Sequence, residues 1–421
     1  MAISKILIVG AGPSGLLLAL MLARAGISVE LLEMTTELDK NPRASHYAAP
    51  ACYELQRAGV LEEVRRLGFL PNSVSWRKLD ENKTRLTGIR NADMDADDPL
   101  RMVCLTLDRL GKILQEHVKA QPNAKISYNY KVTGLGQDES QAWVDAAAPE
   151  GPKRMTADYI IGCDGANSQI RRGLFGDFNF PGRTWDEQIV ATNVYYDFPE
   201  DYDDSNFFIH PEHWHMVAKI GTDGLYRVSY GEIGGLTTEQ LRERLPYKFK
   251  AMFPGHPKPS QYNVVNFSPY KIHQRCAERM RAGRFLLVAD AAHLCNPFGG
   301  MGLTGGIADV GSLYDSLVGI HIGQADDSIL DKYDEIRRKI WHEIIDPISS
   351  GNIRRLFGQD ADEALEKDDF LKMLKRAETD KELSLQMQAG AMSLRHDMTQ
   401  YYRKPADSKE NVSEIRAKTV L

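Results

Sequence analysis

Residues 5–33 place a glycine-rich turn between an aliphatic run and a helical pattern, and no other stretch constrains the fold so closely. Lys5 to Val9 is apolar after its first residue, as expected for a strand buried on both faces. Gly10-Ala-Gly12-Pro-Ser14-Gly15 follows; from Pro13 to Ala25 the pattern is helical, with Gly26 at its C′ position. Ile27 to Leu32 is a second buried strand, so the unit has the size of one βαβ crossover. A GxGxxG spacing arises by accident in many chains, and the strand before it and helix after it give it meaning here. Gly10 permits the tight turn, Gly12 lets backbone approach a pyrophosphate, and Gly15 lets the helix pack closely on the strand. The first helical turn, with Ser14 in it, points N–H groups and a positive dipole end at the phosphates. Glu33 ends the second strand 23 residues after Gly10, near the spacing of an acid that accepts ribose hydroxyls. A carboxylate there favours an unphosphorylated ribose, hence FAD or NAD over NADP at this turn. The bland alternative is a tight βα turn followed by a surface glutamate.

Further along, Ala51 to Ala58, Leu61 to Leu67 and Leu105 to Ala120 read as helices. Ile126 to Leu135 and Ala142 to Ala147 alternate apolar and polar residues and read as antiparallel strands. Tyr159 to Cys163 and Phe285 to Ala289 return to the buried, parallel type, the latter followed by glycines and a helix from about Gly302. Residues 185–231 are aromatic-rich and alternating, as in a separate β-sheet. From about Asp331 the chain is helical and charged, and from about Lys404 polar and frayed.

Composition excludes several classes. A formal charge of −6 offers no basic field for nucleic acid or an anionic membrane. The longest apolar stretch, Leu16 to Ala25, is too short for a bilayer and contains Arg24, so no membrane span is expected. The N-terminus lacks a basic region and a cleavage site and reads as a strand, not a targeting peptide. Five scattered cysteines without a CxxC pair suit reduced thiols in a cytoplasmic protein better than disulfides or zinc. Monomer and homodimer both remain open.

Two more segments carry signatures. Residues 159–171 contain Cys-Asp164-Gly165-Ala-Asn-Ser168-Gln-Ile-Arg171. Residues 283–309 contain Ala289-Asp290-Ala-Ala-His293-Leu-Cys-Asn-Pro297-Phe-Gly299-Gly300-Met301-Gly302-Leu-Thr304. With the first turn, these resemble the three fingerprints of single-component flavoprotein aromatic hydroxylases of the p-hydroxybenzoate hydroxylase type, over residues 3 to about 350. The resemblance implies an α/β fold in which a Rossmann-like three-layer FAD-binding domain is interleaved with a β-sheet substrate domain and followed by a helical C-terminal region. The boundaries expected are 1–75, 100–180 and 268–340 for the FAD domain, 76–99 and 181–267 for the substrate domain, and 341–421 for the helical region.

The same resemblance implies residue roles. Asp290 is similar to the Asp that hydrogen-bonds the FAD ribityl chain, and the backbone at Gly300, Met301 and Gly302 would face the flavin pyrimidine edge. Pro297 matches the position whose backbone carbonyl positions the C4a-hydroperoxide, and Asp164 belongs to a motif associated with FAD and NAD(P)H. Arg43 matches an arginine near flavin and pyrophosphate. The chain departs from the pattern at Ala289, at Thr304 and at Leu107, where many relatives carry Gly, Asn and a cofactor-reaching Gln or Arg; Arg109 is the candidate substitute for the last. The implied activity is monooxygenation of a small aromatic or phenolic substrate with NADH or NADPH and O2.

Substrate would meet the second domain's sheet, where Tyr195, His213, His215 and Arg227 are the candidate contacts. His213-Trp-His215 places two imidazoles on one strand face, able to deprotonate a phenol; without partnered Cys, Asp or Glu they make a poor metal site, and no metal is expected. Rival activities are Baeyer–Villiger insertion or epoxidation on the same fold, and a non-catalytic FAD-binding protein. A halogenase is disfavoured by the lack of a WxWxIP segment.

Overall fold

The computed structural model describes residues 2–41 and 45–403. Its first sheet has six strands in the order Arg281–Ala282, Phe285–Leu287, Tyr159–Gly162, Lys5–Val9, Ser28–Glu33, Ala124–Tyr128. All neighbours run parallel except the edge pair Arg281–Ala282 with Phe285–Leu287. The continuous aliphatic strands belong here because both sheet faces are covered. Pro13–Arg24 packs with Leu107–Lys119 and Met301–His321 on one face. A three-stranded antiparallel sheet, Lys131–Gln137, Ala142–Ala148 and Gly151–Ala157, contributes Val132, Val144, Ala146 and Met155 to the same core from the other.

The expected strand from Ile126 to Leu135 is two strands. Ala124–Tyr128 runs parallel to Ser28–Glu33, and Lys131–Gln137 belongs to the antiparallel sheet. Asn129 breaks the run with φ +61°, a left-handed conformation that asparagine tolerates well.

The second sheet has eight strands, in the order His293–Leu294, Asn263–Cys276, Gly182–Tyr195, Leu225–Glu232, His215–Lys219, Ser205–Ile209, Ser73–Lys78, Arg85–Arg90. The boundaries at 75/76 and 267/268 therefore fall inside strands Ser73–Lys78 and Asn263–Cys276, which continue this sheet. Strand alternation gives it two apolar faces. Val190, Val194, Phe208, Val217 and Tyr230 pack on helix Thr238–Met252 through Leu241, Phe249 and Met252. Trp76, Ile189, Ile209 and Trp214 face the other way, toward Ile353, Leu356, Leu371 and Leu374 of the C-terminal helices. Residues 353–374 thus wall the second sheet, while Met398 packs in the core of the first. The expected fraying after Lys404 lies outside the described residues.

Candidate active site

Two helix N-termini meet at one cavity. Pro13–Arg24 starts after Gly12 and Met301–His321 after Gly300; neither has a side-chain cap or an acidic residue in its first turn. Their first-turn N–H groups and positive dipole ends are left for an acceptor. Gly12, Ser14, Gly300 and Gly302 all line a cavity of about 1530 Å3, far larger than a single small aromatic requires.

The glycine turn is built by close approach. A Cβ on Gly10, where φ is +106°, would lie 2.4 Å from the Cys163 carbonyl oxygen, and one on Gly15 would lie 2.0 Å from that of Gly10. A Cβ on Gly12 would meet nothing within 4 Å, because that face of the turn opens into the cavity. Glu33 braces the same turn: its Oε2 accepts the Ala11 N–H at 2.9 Å, and its Oε1 accepts Thr35 N–H at 2.9 Å.

Asp164 Oδ2 accepts the N–H groups of Gln169 and Ile170 at 2.6 and 3.2 Å, at the start of helix Gln169–Phe175. Burial nevertheless raises its pKa. The cavity wall beside it is formed by Gly165, Ala166 and Asn167. Asp290 stands exposed on the cavity wall, directly after Ala289, whose φ is +55°. Pro297 is exposed on the same wall, and Gly299 and Gly300 (φ +96° and +66°) turn the chain into the helix. The Met301 side chain leaves the cavity for a cluster with Cys276, Trp341 and Ile345.

The second sheet supplies the opposite wall. Trp76 and Phe207 stack at 5.2 Å and 22°, Phe370 meets Trp76 edge-on at 5.4 Å, and Phe298 meets Phe207 at 6.4 Å. With Met216 and Met387 these rings form an aromatic box on the same cavity, and Phe298 is the chain neighbour of Pro297. Polar groups stand along the strands that continue from it. Arg227 lines the cavity and donates to Asn193 Oδ1 at 3.2 Å. Tyr270 also lines it, and burial pushes its phenol up to about 12. His46 lines it with Nε2 buried and without a hydrogen-bond partner; burial lowers its pKa to about 4, so the imidazole is neutral near pH 7.

A model of the FAD binding domain family matches residues 4–347. The chain is 35% identical over 377 residues to the para-nitrophenol 4-monooxygenase of Pseudomonas sp. strain WBC-3, covering 89% of this chain and 92% of that one. It belongs to the FAD-dependent aromatic hydroxylase family. It is also 36% identical over 357 residues to the 6-hydroxy-3-succinoylpyridine 3-monooxygenase of Pseudomonas putida, with 84% of this chain and 89% of that one covered. The crystal structure of a p-nitrophenol 4-monooxygenase from Pseudomonas putida DLL-E4 superposes with a TM-score of 0.86 at 33% identity, over 94% of this chain and 99% of that one. The enzyme is therefore an FAD-dependent aromatic monooxygenase, and the cavity with its two uncapped helix N-termini and open Gly12 face suits the cofactor. FAD supplies the redox and oxygen chemistry; the protein's task is to bind, orient and exclude water. No helix among the described residues is long and apolar enough to cross a membrane.

Not every expected site residue of this hydroxylase reaches the cavity. Arg109 is exposed on the other side of helix Leu107–Lys119, in a groove with Glu63 and Lys112, whereas Leu107, Asp108 and Gly111 face the cavity. A step of two residues turns a helix by about 200°, so Arg109 cannot replace a side chain at 107. His215 packs on the far sheet face, stacked on Phe208 at 4.3 Å, where burial lowers its pKa to about 3. His213 stacks on His210 at 5.1 Å and meets Tyr247 of helix Thr238–Met252, also away from the cavity. Strand parity decides this: Phe207, Met216 and Ala218 face the cavity, so Phe208, His215 and Val217 cannot. Tyr195 lies outside the cavity lining, and its hydroxyl donates to Asp223 Oδ2 at 2.9 Å. Arg43 lies outside the described residues. Of the four substrate candidates, Arg227 alone lines the cavity.

His46, Tyr270, Trp76, Phe370 and Met387 line the cavity without a sequence signal of their own that marks them for it. Aromatic residues in strands and helices carry no mark that separates a ligand wall from core, and Phe370 and Met387 come from helices that fold back from the far end of the chain. The one signal for His46 was its position three residues after Arg43 in the segment following the second strand.

Proposed function

We propose that this hydroxylase uses NADH or NADPH and O2 to oxygenate a para-substituted phenolic ring at the carbon bearing the substituent. The observation that carries the reading is the cavity wall that combines an aromatic box (Trp76, Phe207, Phe298, Phe370) with Arg227 on a strand of the same sheet. The box suits a flat ring, and Arg227 suits a phenolate or an anionic substituent. The regiochemistry is supported by the relatives at 35% and 36% identity. In para-nitrophenol the 4-position carries the nitro group, and in 6-hydroxy-3-succinoylpyridine the 3-position carries the acyl group and lies opposite the hydroxyl.

On the cofactor side, Gly10, Gly12, Ser14 and Gly15 shape the pyrophosphate turn, with Glu33 beside it for the ribose and Asp290 for the ribityl chain. The backbone from Gly300 to Gly302 would offer its N–H groups to the pyrimidine edge, and Pro297 would line the reacting face. Asp164 would act through the Gly165 turn, its Oδ2 holding the N–H groups of Gln169 and Ile170.

The test is NAD(P)H oxidation by the purified yellow protein across para-substituted phenols and ketones, with 18O2 and product mass. The expected result is substrate-dependent oxidation, one labelled oxygen on the para carbon, and nitrite release when para-nitrophenol is supplied. Lactone formation from ketones with no turnover of phenols would replace this reading by Baeyer–Villiger insertion.

A further inference from the structure

The turn that presents Asp290 is held from behind by a carboxylate that never reaches the cavity. Asp309, on helix Met301–His321, is fully buried. Its Oδ2 accepts the backbone N–H of Ala289 at 3.0 Å and faces His293 Nε2 at 2.7 Å. One oxygen thus pins both ends of a five-residue turn, 289–293, with Asp290 between the pins. Opposite an ionised carboxylate, Nε2 must carry the proton. The pinning matters because Ala289 sits at φ +55°, a backbone conformation an alanine does not hold unaided. The turn lies close against the same helix, where only a glycine fits at 306: a Cβ there would lie 2.6 Å from the Ala289 Cβ.

The other carboxylate oxygen, Oδ1, accepts Arg337 Nε at 2.6 Å. Arg337 is itself buried and donates to the Leu394 carbonyl at 2.6 Å and the Gly305 carbonyl at 3.2 Å. The charges of Asp309 and Arg337 therefore compensate each other inside the core, where either alone would be strongly destabilising. Through this pair the turn is tied to helix Ile329–Ile340 and to the C-terminal region at Leu394.

We infer that Asp309, with His293 and Arg337, is a positioning device for Asp290, acting on cofactor binding through the 289–293 turn without touching the cofactor. The inference rests on the reading that Asp290 meets the FAD ribityl chain. A merely structural cluster of this kind lowers stability when broken, whereas a positioning device loses its effect once Asp290 is gone.

The experiment is a double-mutant cycle on the full-length protein, with the FAD dissociation constant read by quenching of FAD fluorescence and Tm recorded for each variant. Asp290→Ala alone tests the underlying reading, which fails if FAD affinity is unchanged. His293→Leu alone is expected to weaken FAD binding about tenfold, and to add less than about twofold in the Asp290→Ala background. His293→Gln, which keeps a donor near Nε2, serves if the leucine variant does not fold, and should show a smaller loss with the same dependence on Asp290. An unchanged FAD affinity in the His293 variants, or an equal loss with and without Asp290, overturns the inference. Phe249→Leu, in the core beyond the second sheet, controls for stability: a matching fall in Tm must leave FAD affinity intact, and an equal FAD loss there also overturns it.

Discussion

Glu33 Oε2 accepts the Ala11 N–H at 2.9 Å, so the acid at the end of the second strand and the glycine turn after the first strand form one hydrogen-bonded unit. The carboxylate holds the turn, and in the proposed reading it also serves the ribose. Glu33→Gln retains an oxygen acceptor and should bind FAD within about threefold of wild type; Glu33→Ala should lose about tenfold, the worth of one charge-assisted hydrogen bond. Equilibrium titration of FAD fluorescence checks both.

The glycines of the turn are predicted to fail in different ways. Gly15→Ala places a methyl 2.0 Å from the Gly10 carbonyl oxygen and should destabilise the fold by about 2–3 kcal/mol or more. Gly12→Ala meets no protein atom within 4 Å, so its Tm without FAD should stay within about 2 °C while FAD affinity falls at least about tenfold. Thermal unfolding with and without FAD separates the two. Equal loss of stability in both variants would mean that the Gly12 face is packed and not open to the cavity.

Arg227 and Phe370 should govern substrate and leave flavin alone. Replacing Arg227 by Met removes its guanidinium from the cavity wall and should lower kcat/KM for a phenolic substrate about 10- to 100-fold. Phe370→Ala opens the aromatic box and should raise KM about tenfold with a smaller effect on kcat. His213→Ala, on the far face of the sheet, should change kcat/KM less than about twofold. Steady-state kinetics on matched, fully flavinated preparations decide all three.

Acid should weaken the second domain through His215. Burial lowers its pKa in the fold to about 3, against an ordinary value of 6.5. A depressed value means that the folded state resists the proton, so the stabilising contribution is complete above about pH 6.5 and declines as pH falls toward 3. The group then contributes a slope of up to about 1.4 kcal/mol per pH unit. His215→Phe keeps a ring against Phe208 and cannot titrate; its unfolding free energy in urea should fall less between pH 7.5 and pH 5 than that of wild type. An identical pH dependence in the variant contradicts the burial argument.

Much of the cofactor half was legible in the chain because its signals are local. A buried strand, a turn whose glycines are forced by backbone contact, an uncapped helix and an acid at the next strand's end lie within residues 5–33, and each constrains its neighbour through the backbone. Asp290, Pro297 and the two glycines before Met301 follow the same logic around a second turn. Asp164 shows the limit of it, since a motif names the residue and only the coordinates show the carboxylate turned to Gln169 and Ile170.

The substrate half was decided by the tertiary structure. Alternation along Ser205–Ile209 and His215–Lys219 announces two faces, but which face meets the cavity depends on what packs against the other, here helix Thr238–Met252. That choice sent His215 to the core and Met216 to the cavity. The box needs Phe370 and Met387 from beyond residue 360 to meet Trp76 and Phe207, a contact between segments about 160 to 300 residues apart that no periodicity announces. By itself, then, the sequence determined a βαβ site for FAD or NAD, because backbone geometry is written in adjacent residues, and the choice of FAD came with the family resemblance of its three motifs. The side chains that surround the substrate became visible only when long-range packing chose the faces.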